Sequence, residues 1–194
     1  DGVVIDWYGT STLHDYETIH RNTAHLIKYV KKAGLQFVIC YEDRTVQHVA
    51  QEHGTPRQEA YRLAARDMEW LEGVLFVDAG YVLIHGRPIL PVFGPIYFET
   101  ASEWEQILGG LSTRPLLYAL PHLVESTRAD GVFGWPPVDG GRSISPEWWI
   151  EYLTNLYTMG GDSTEVMAVA FPGFHDVYET SYGHIDDRDG ATFD

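Results

Sequence analysis

The sequence predicts an α/β protein of the (β/α)8 TIM-barrel type, incomplete, with about six of the eight βα units carried by 194 residues. Three observations predict it. Short, nearly continuous apolar segments alternate with amphipathic segments of helical period, the pattern of a parallel sheet covered by helices. No glycine-rich phosphate loop follows any apolar segment, which removes the usual mark of an open, doubly wound sheet. A complete barrel averages ~250 residues, so the chain fits one partial barrel domain over residues 1–194 that lacks about two units.

Each element has its own signal. Gly2–Asp6 reads as a buried strand, and Trp7–His14 as the loop that follows it. Ile19, Thr23, Leu26, Ile27 and Val30 then fall on one face of a helix that Gly34 stops. Leu35–Tyr41 is a second buried strand, followed by a loop over Glu42–Gly54. Thr55 to Gln58 reads as a capping box with Pro56 at the first helical position. Ala60, Leu63, Ala64, Met68 and Leu71 form that helix's apolar face. Tyr81–Ile84, His85-Gly86-Arg87 and Pro88–Phe93 read as a small approach strand turning into a core strand. A second capping box, Ser102 to Glu105, opens a helix that turns Trp104, Ile107, Leu108 and Leu111 inward. Pro115–Leu120 and Gly131–Trp135 are strands joined by a short helix or turn. Ser145-Pro146 caps a helix carrying Trp148, Trp149, Tyr152, Leu153 and Leu156, and Glu165–Phe171 is the last strand.

Composition narrows the function. Hydrophobic residues make up 44% of the chain, ordinary for a packed domain, which excludes disorder. A net charge of −15 repels phosphate, so neither nucleic acid nor an anionic membrane is an expected partner. No apolar run approaches the ~18 residues a membrane-spanning segment needs. Cys40 is the one cysteine, so no intrachain disulfide forms. All three lysines, Lys28, Lys31 and Lys32, sit at one helix C-terminus, where the dipole favours them. Schiff-base chemistry would need a lysine from elsewhere, and no cofactor is expected. Aromatic residues reach 13%, with six Trp and 12 Tyr.

In parallel α/β folds chemistry gathers at the carboxyl ends of strands. Here those ends read Asp6-Trp7-Tyr8, Tyr41-Glu42-Asp43-Arg44, Phe93-Gly94-Pro95, Pro121-His122, Trp135-Pro136-Pro137 and Phe171 to Asp176. Sugars suit this mixture, because their apolar faces stack on aromatic rings while their hydroxyls bond carboxylates and Arg. Cleaving a glycosidic bond takes carboxylates that protonate the leaving oxygen and support an oxocarbenium-like state. Glu42 is the leading catalytic candidate, since a carboxylate at the end of a buried strand has few structural roles. Asp6 is the second, its alternatives being a loop cap or a partner of Arg44. Trp7, Tyr8, Tyr41, Asp43, Arg44, Trp135, Phe174, His175 and Asp176 are the expected substrate contacts, with Asp43 also suited to orienting Arg44. Trp7 and Trp135 could equally be barrel-end core. Trp104, Trp148 and Trp149 read as helix packing, and His14, His20 and His25 as surface residues. His175-Asp176 with Asp6 or Glu42 could hold a metal, but no spacing demands it, and no metal site is expected.

The segments GVVIDWYG, FVICYEDRTV, GRPILPVFGP, the Trp135 strand end and VMAVAFPGFHDVYE resemble, in order and over nearly the whole chain, bacterial glycoside hydrolases of the family 71/99-like group. That group is related to the endo-α-1,2-mannosidases and mannanases of family 99. The resemblance implies an exported (β/α)8 barrel, secreted, periplasmic or cell-surface, acting on an oligosaccharide or polysaccharide with α linkages, mannan- or glucan-like. It implies a retaining mechanism in which one carboxylate assists attack by the substrate's own 2-hydroxyl and another serves as acid and base. It places Glu42 at a substrate-contacting position, with Asp6, Trp7, Tyr8, Arg44, His175 and Asp176 in further pocket-lining segments. The family's late Trp-Asn-Asp/Glu and Glu-Gly-Thr motifs, which supply its principal catalytic carboxylates, do not occur before Asp194, and an earlier strand is also missing. The chain is thus expected to hold one side of a glycosidase site and to be inactive alone. The alternative is a non-catalytic carbohydrate-binding barrel or an inactive fragment.

Overall fold

The computed structural model describes residues 1–136, 145–161, 164–169, 173–175 and 184–185. The chain divides into two compact units, Asp1–Asp130 and Gly131–Asp194.

In the first unit β1 (Gly2–Trp7) and β2 (Gln36–Tyr41) run parallel in register from Gly2 opposite Gln36 to Trp7 opposite Tyr41. Helix α1 (Tyr16–Lys32) connects them and ends where Gly34 takes φ 73°. Single parallel bridges from Phe37 to Tyr81 and from Tyr41 to Val92 carry the sheet onward. There β3 (Leu83–Ile84) folds back on β4 (Arg87–Pro91), which pairs in parallel with β5 (Leu116–Ala119). The β3–β4 turn is His85-Gly86, both with positive φ (50° and 77°), the twist a two-residue hairpin demands. The main parallel strands β1, β2, β4 and β5 therefore lie in chain order, as the alternating pattern predicted.

Strand alternation gives this sheet two unlike faces. One packs Ile5, Trp7, Phe37, Ile39, Tyr41, Leu90, Val92, Leu117 and Ala119 against the helices. Among these, α3 (Arg57–Val74) contributes Ala60, Ala64, Met68 and Leu71, and α4 (Ala101–Leu108) contributes Trp104 and Ile107, all nearly inaccessible. The two alanines let α3 lie close to the sheet. On the other face of β1, Val4 (55% exposed) and Asp6 meet solvent.

Three local expectations are corrected. Glu42–Gly54 is no loop: Arg44–His53 forms α2, which buries Thr45, Val46 and Ala50 and ends on Gly54 at φ 61°. Helix α3 starts one residue later than expected, with Pro56 as N-cap and no side-chain cap bond. Helix α4 starts earlier, its capping box formed by Thr100 and Glu103 instead of Ser102 and Glu105. Glu103 is held there because it also pairs with Arg57, whereas Glu105 bonds Arg114.

A 3-10 turn at Pro121–Leu123 and the short α5 (Val124–Thr127) close the first unit. In the second, β6 (Gly131–Phe133) pairs in parallel with β7 (Glu165–Met167) across α6 (Pro146–Thr158). Ser145 caps α6 as expected, its hydroxyl accepting from the Trp148 amide. The last predicted strand is shorter than Glu165–Phe171, and Phe171 lies outside the described residues. β8 (Phe174–His175) and β9 (His184–Ile185) form an antiparallel pair.

Candidate functional site

Asp6 pairs in register with Cys40, and the Glu42 amide continues the ladder by donating to the Trp7 carbonyl at 3.0 Å. Alternation therefore carries Asp6, Cys40 and Glu42 to the face away from the helices, at the carboxyl ends of β1 and β2. Glu42 is half-buried. Burial first, then the neighbouring charges of Asp6 and Asp43, push its carboxyl up to about 8 against the opposing pull of Arg44. Asp6 is also raised by desolvation, although it keeps solvent-exposed surface; hydrogen bonds from the Tyr8 side chain and the Trp7 backbone hold it down. A carboxyl that keeps its proton at neutral pH beside a second carboxyl suits acid–base chemistry. Among the described residues no ion pair involves Asp6, Glu42 or Arg44, so the alternative reading of Asp6 as a partner of Arg44 is not met. Arg44, exposed at the first turn of α2, acts on the group through its field.

Three expected substrate contacts point the other way and are corrected. Trp7 is wholly buried, stacked on Trp70 (5.2 Å, 24°), with its indole N–H donating to His20 Nδ1 at 3.1 Å. It has no face to offer a sugar, and His20, expected at the surface, is its half-buried partner. Tyr41 is wholly buried and its hydroxyl donates to Asp67 at 2.8 Å. Asp43 is wholly buried and orients a loop instead of Arg44, accepting the amides of Ile96, Tyr97 and Phe98 at 2.9, 2.9 and 2.8 Å.

Asp67 was not anticipated. From the inner side of α3 it accepts the Thr10 amide (2.8 Å), the Thr10 hydroxyl (2.7 Å) and the Tyr41 hydroxyl. Burial raises its pKa, and these bonds oppose the rise. It thereby fastens the segment that follows β1 to the helix layer. Gly9 makes the approach possible: its φ is 78°, and a Cβ there would sit 2.4 Å from the Asp67 carboxylate.

Tyr8 does reach the site. Half-buried, it lowers the Asp6 carboxyl against the effect of burial and stacks on Tyr16 at 5.6 Å and 24°. Tyr16 and His48 were missed. The Tyr16 hydroxyl lies 2.6 Å from His48 Nδ1, and His14 meets the Tyr16 ring edge-on at 5.5 Å. With Asp15, Gln51 and Glu52 these residues line an open cleft of about 420 Å³. The cleft adjoins the carboxylates: Glu42 and Arg44 both act on Tyr16, and Arg44 acts on His48. With Arg44–His53 read as a loop, no signal pointed to Tyr16 and His48; the helix puts His48 on the Arg44 face, four residues later.

The remaining expected contacts belong to the second unit. Trp135 is 40% exposed, and its amide and carbonyl both bond the Tyr152 hydroxyl at 3.2 Å. Phe174 is half-buried and His175 exposed on β8, while Asp176 lies outside the described residues. Among the described residues no three His, Cys, Asp or Glu side chains converge to hold a metal ion, and no helix is long and apolar enough to cross a membrane.

No family model matches the chain, and no curated protein matches it. Among solved structures it is similar to the GH99 endo-alpha-mannosidase from Bacteriodes thetaiotaomicron in complex with BIS-TRIS-propane. The two share 13% identity with a TM-score of 0.60 over 97% of this chain. The match spans 57% of that enzyme's chain. The likeness is one of fold: this chain has the α/β architecture of part of a GH99-like barrel.

Proposed function

We propose that this chain carries one side of a glycoside hydrolase active site, acting on α-linked glycans of the mannan or glucan kind by a retaining, carboxylate-assisted route. The observation that carries the proposal is the Glu42–Asp6 pair, set at the carboxyl ends of adjacent parallel strands with Glu42 pushed up to about 8. At neutral pH Glu42 keeps its proton and serves as a hydrogen-bond and proton donor to a sugar oxygen. Asp6, raised by burial against the opposing effect of Tyr8, offers an acceptor oxygen to a sugar hydroxyl. The fold likeness to an endo-alpha-mannosidase supports the same reading, and an exported enzyme goes with it.

The test is reducing-sugar release from α-mannan and α-glucan oligosaccharides by a complete protein in which the other side of the site is supplied, and by its Glu42→Gln and Asp6→Asn forms. Loss of a positioned acid–base group costs roughly 10²–10⁴-fold in turnover, so losses of that order are expected with thermal midpoints not lowered. Normal turnover by Glu42→Gln overturns the assignment. Glycan binding without turnover in that complete, unaltered protein would favour a carbohydrate-binding barrel instead.

A further inference from the structure

Four residues on four parts of the chain form a continuous series ending at Asp6. His48, on α2, meets the Tyr16 hydroxyl through Nδ1 at 2.6 Å. Tyr16, the first residue of α1 and only 6% exposed, lays its ring against Tyr8. Tyr8, just past β1, brings its phenol to the Asp6 carboxyl and opposes the rise that burial imposes on it. The Tyr16 ring is fixed on three sides: by Tyr8 on one face, by His14 against its edge, and by His48 at its hydroxyl. The rings of Tyr16 and His48 lie nearly parallel, 13° apart.

We propose that Tyr16 and His48 are positioning residues for the Asp6–Glu42 site, acting through Tyr8, whose ring they hold so that its phenol meets the Asp6 carboxylate. The proposal rests on the reading above, in which Asp6 and Glu42 are the carboxylates that meet the sugar. Its physical basis is rotational. A tyrosine at the start of a loop can swing about two side-chain bonds, and a bond to a carboxylate is worth most when that freedom is already lost. Tyr16 supplies a wall for the Tyr8 ring, and His48 stops the wall from turning. The contact requires a neutral His48 that accepts at Nδ1 when Tyr16 donates. Burial and the charges of Arg44 and His14 favour that neutral form. The titratable groups facing the pair are His14 and Asp15 from the segment before α1, Glu42, and Arg44 and Glu52 from α2. Those facing Asp6 are Tyr8, Cys40 and Glu42.

The test is a carboxyl-carbon NMR titration of Asp6 in the full chain, which needs no substrate. Tyr8→Phe removes the phenol that acts on Asp6 and is expected to move its midpoint upward. Tyr16→Phe and His48→Ala leave that phenol in place, yet are expected to move Asp6 the same way by a smaller amount. His48→Asn restores an acceptor near the Nδ1 position and is expected to return Asp6 towards its original midpoint. An Asp6 titration unchanged in both Tyr16→Phe and His48→Ala, while Tyr8→Phe shifts it, would show that the pair only packs. No shift in Tyr8→Phe breaks the last link and overturns the proposal equally. Should His48→Ala fail to fold, Tyr16→Phe, which loses one oxygen atom, decides alone. Absence of glycan turnover in the complete, unaltered protein would sink the proposed activity and leave this result standing, so the two failures are distinguishable.

Discussion

Replacing Asp43 by alanine removes the single acceptor of three consecutive backbone amides, those of Ile96, Tyr97 and Phe98. A hydrogen bond to a charged group contributes about 1.5–3 kcal/mol, and a buried donor left without a partner costs about 1–3 kcal/mol. These terms overlap and the loop relaxes, so the expected loss is roughly 3–5 kcal/mol in all. A chain of this size loses about 2–4 °C in midpoint per kcal/mol, which makes the fall about 6–20 °C. Asp43→Asn is the graded control. Oδ2 takes two of the amides and Oδ1 takes one, so an asparagine oxygen in the Oδ2 place keeps two bonds and sets an amide N–H against the third. Its cost is expected near 1–3 kcal/mol. Both variants also remove a charge that raises Glu42, so the Glu42 titration midpoint should fall. The assay is urea unfolding of each protein, with a carboxyl NMR titration alongside. An Asp43→Ala protein within ~1 kcal/mol of the parent, inside the range of ordinary substitutions, would refute the view that Asp43 holds the loop.

Three further outcomes are expected. Glu42 binds its proton more tightly folded than unfolded, so its contribution to stability is complete below about 4.5 and is lost as pH rises through about 8. Unfolding measured across that window should show the decline, and Glu42→Gln should remove this part of it. Gly9→Ala sets a methyl group 2.4 Å from the Asp67 carboxylate at φ 78°, so a loss of about 2–4 kcal/mol is expected by thermal unfolding. Trp7→Ala should cost about 3–5 kcal/mol as a core deletion, while a glycan titration of the folded fraction keeps its parent affinity; weakened binding at unchanged stability would restore Trp7 to the site.

Much of the first unit was legible because its strands are short apolar runs bounded by turn residues. β2 carries five buried residues in succession, Phe37 to Tyr41, and no helical pattern competes with such a run. Helix α2 escaped because only Thr45, Val46 and Ala50 are buried in a segment otherwise polar. Its tertiary contacts, more than its hydrophobicity, make it a helix. The start of α4 was ambiguous because Thr100/Glu103 and Ser102/Glu105 both satisfy the capping-box spacing, and Arg57, 43 residues before Thr100, decides between them. At the site the strand ends were correctly located, but residues one apart were credited with the same role. Period-two alternation separates them: Asp6 and Glu42 face away from the helices, while Trp7, Tyr41 and Asp43 are buried among them. That much was readable from the chain. The clasp by Asp67 and the Tyr16–His48 contact were not, since each joins residues far apart in sequence.

The segment leaving β1 is tied at both ends, by Thr10 on Asp67 and by Tyr16, buried at the start of α1 with its hydroxyl against His48. Only Ser11 to Asp15 lie between those ties, and His14 and Asp15 line the cleft beside Glu42. An added residue there would have to break an anchor, whereas an exchanged side chain would not. Diversification of the cleft, by natural drift or in the laboratory, is therefore channelled into residue identity at fixed loop length. A library that randomises positions 11–15 and preserves Gly9, Thr10 and Tyr16 should yield many folded proteins with altered sugar preference, while one that varies loop length should yield few.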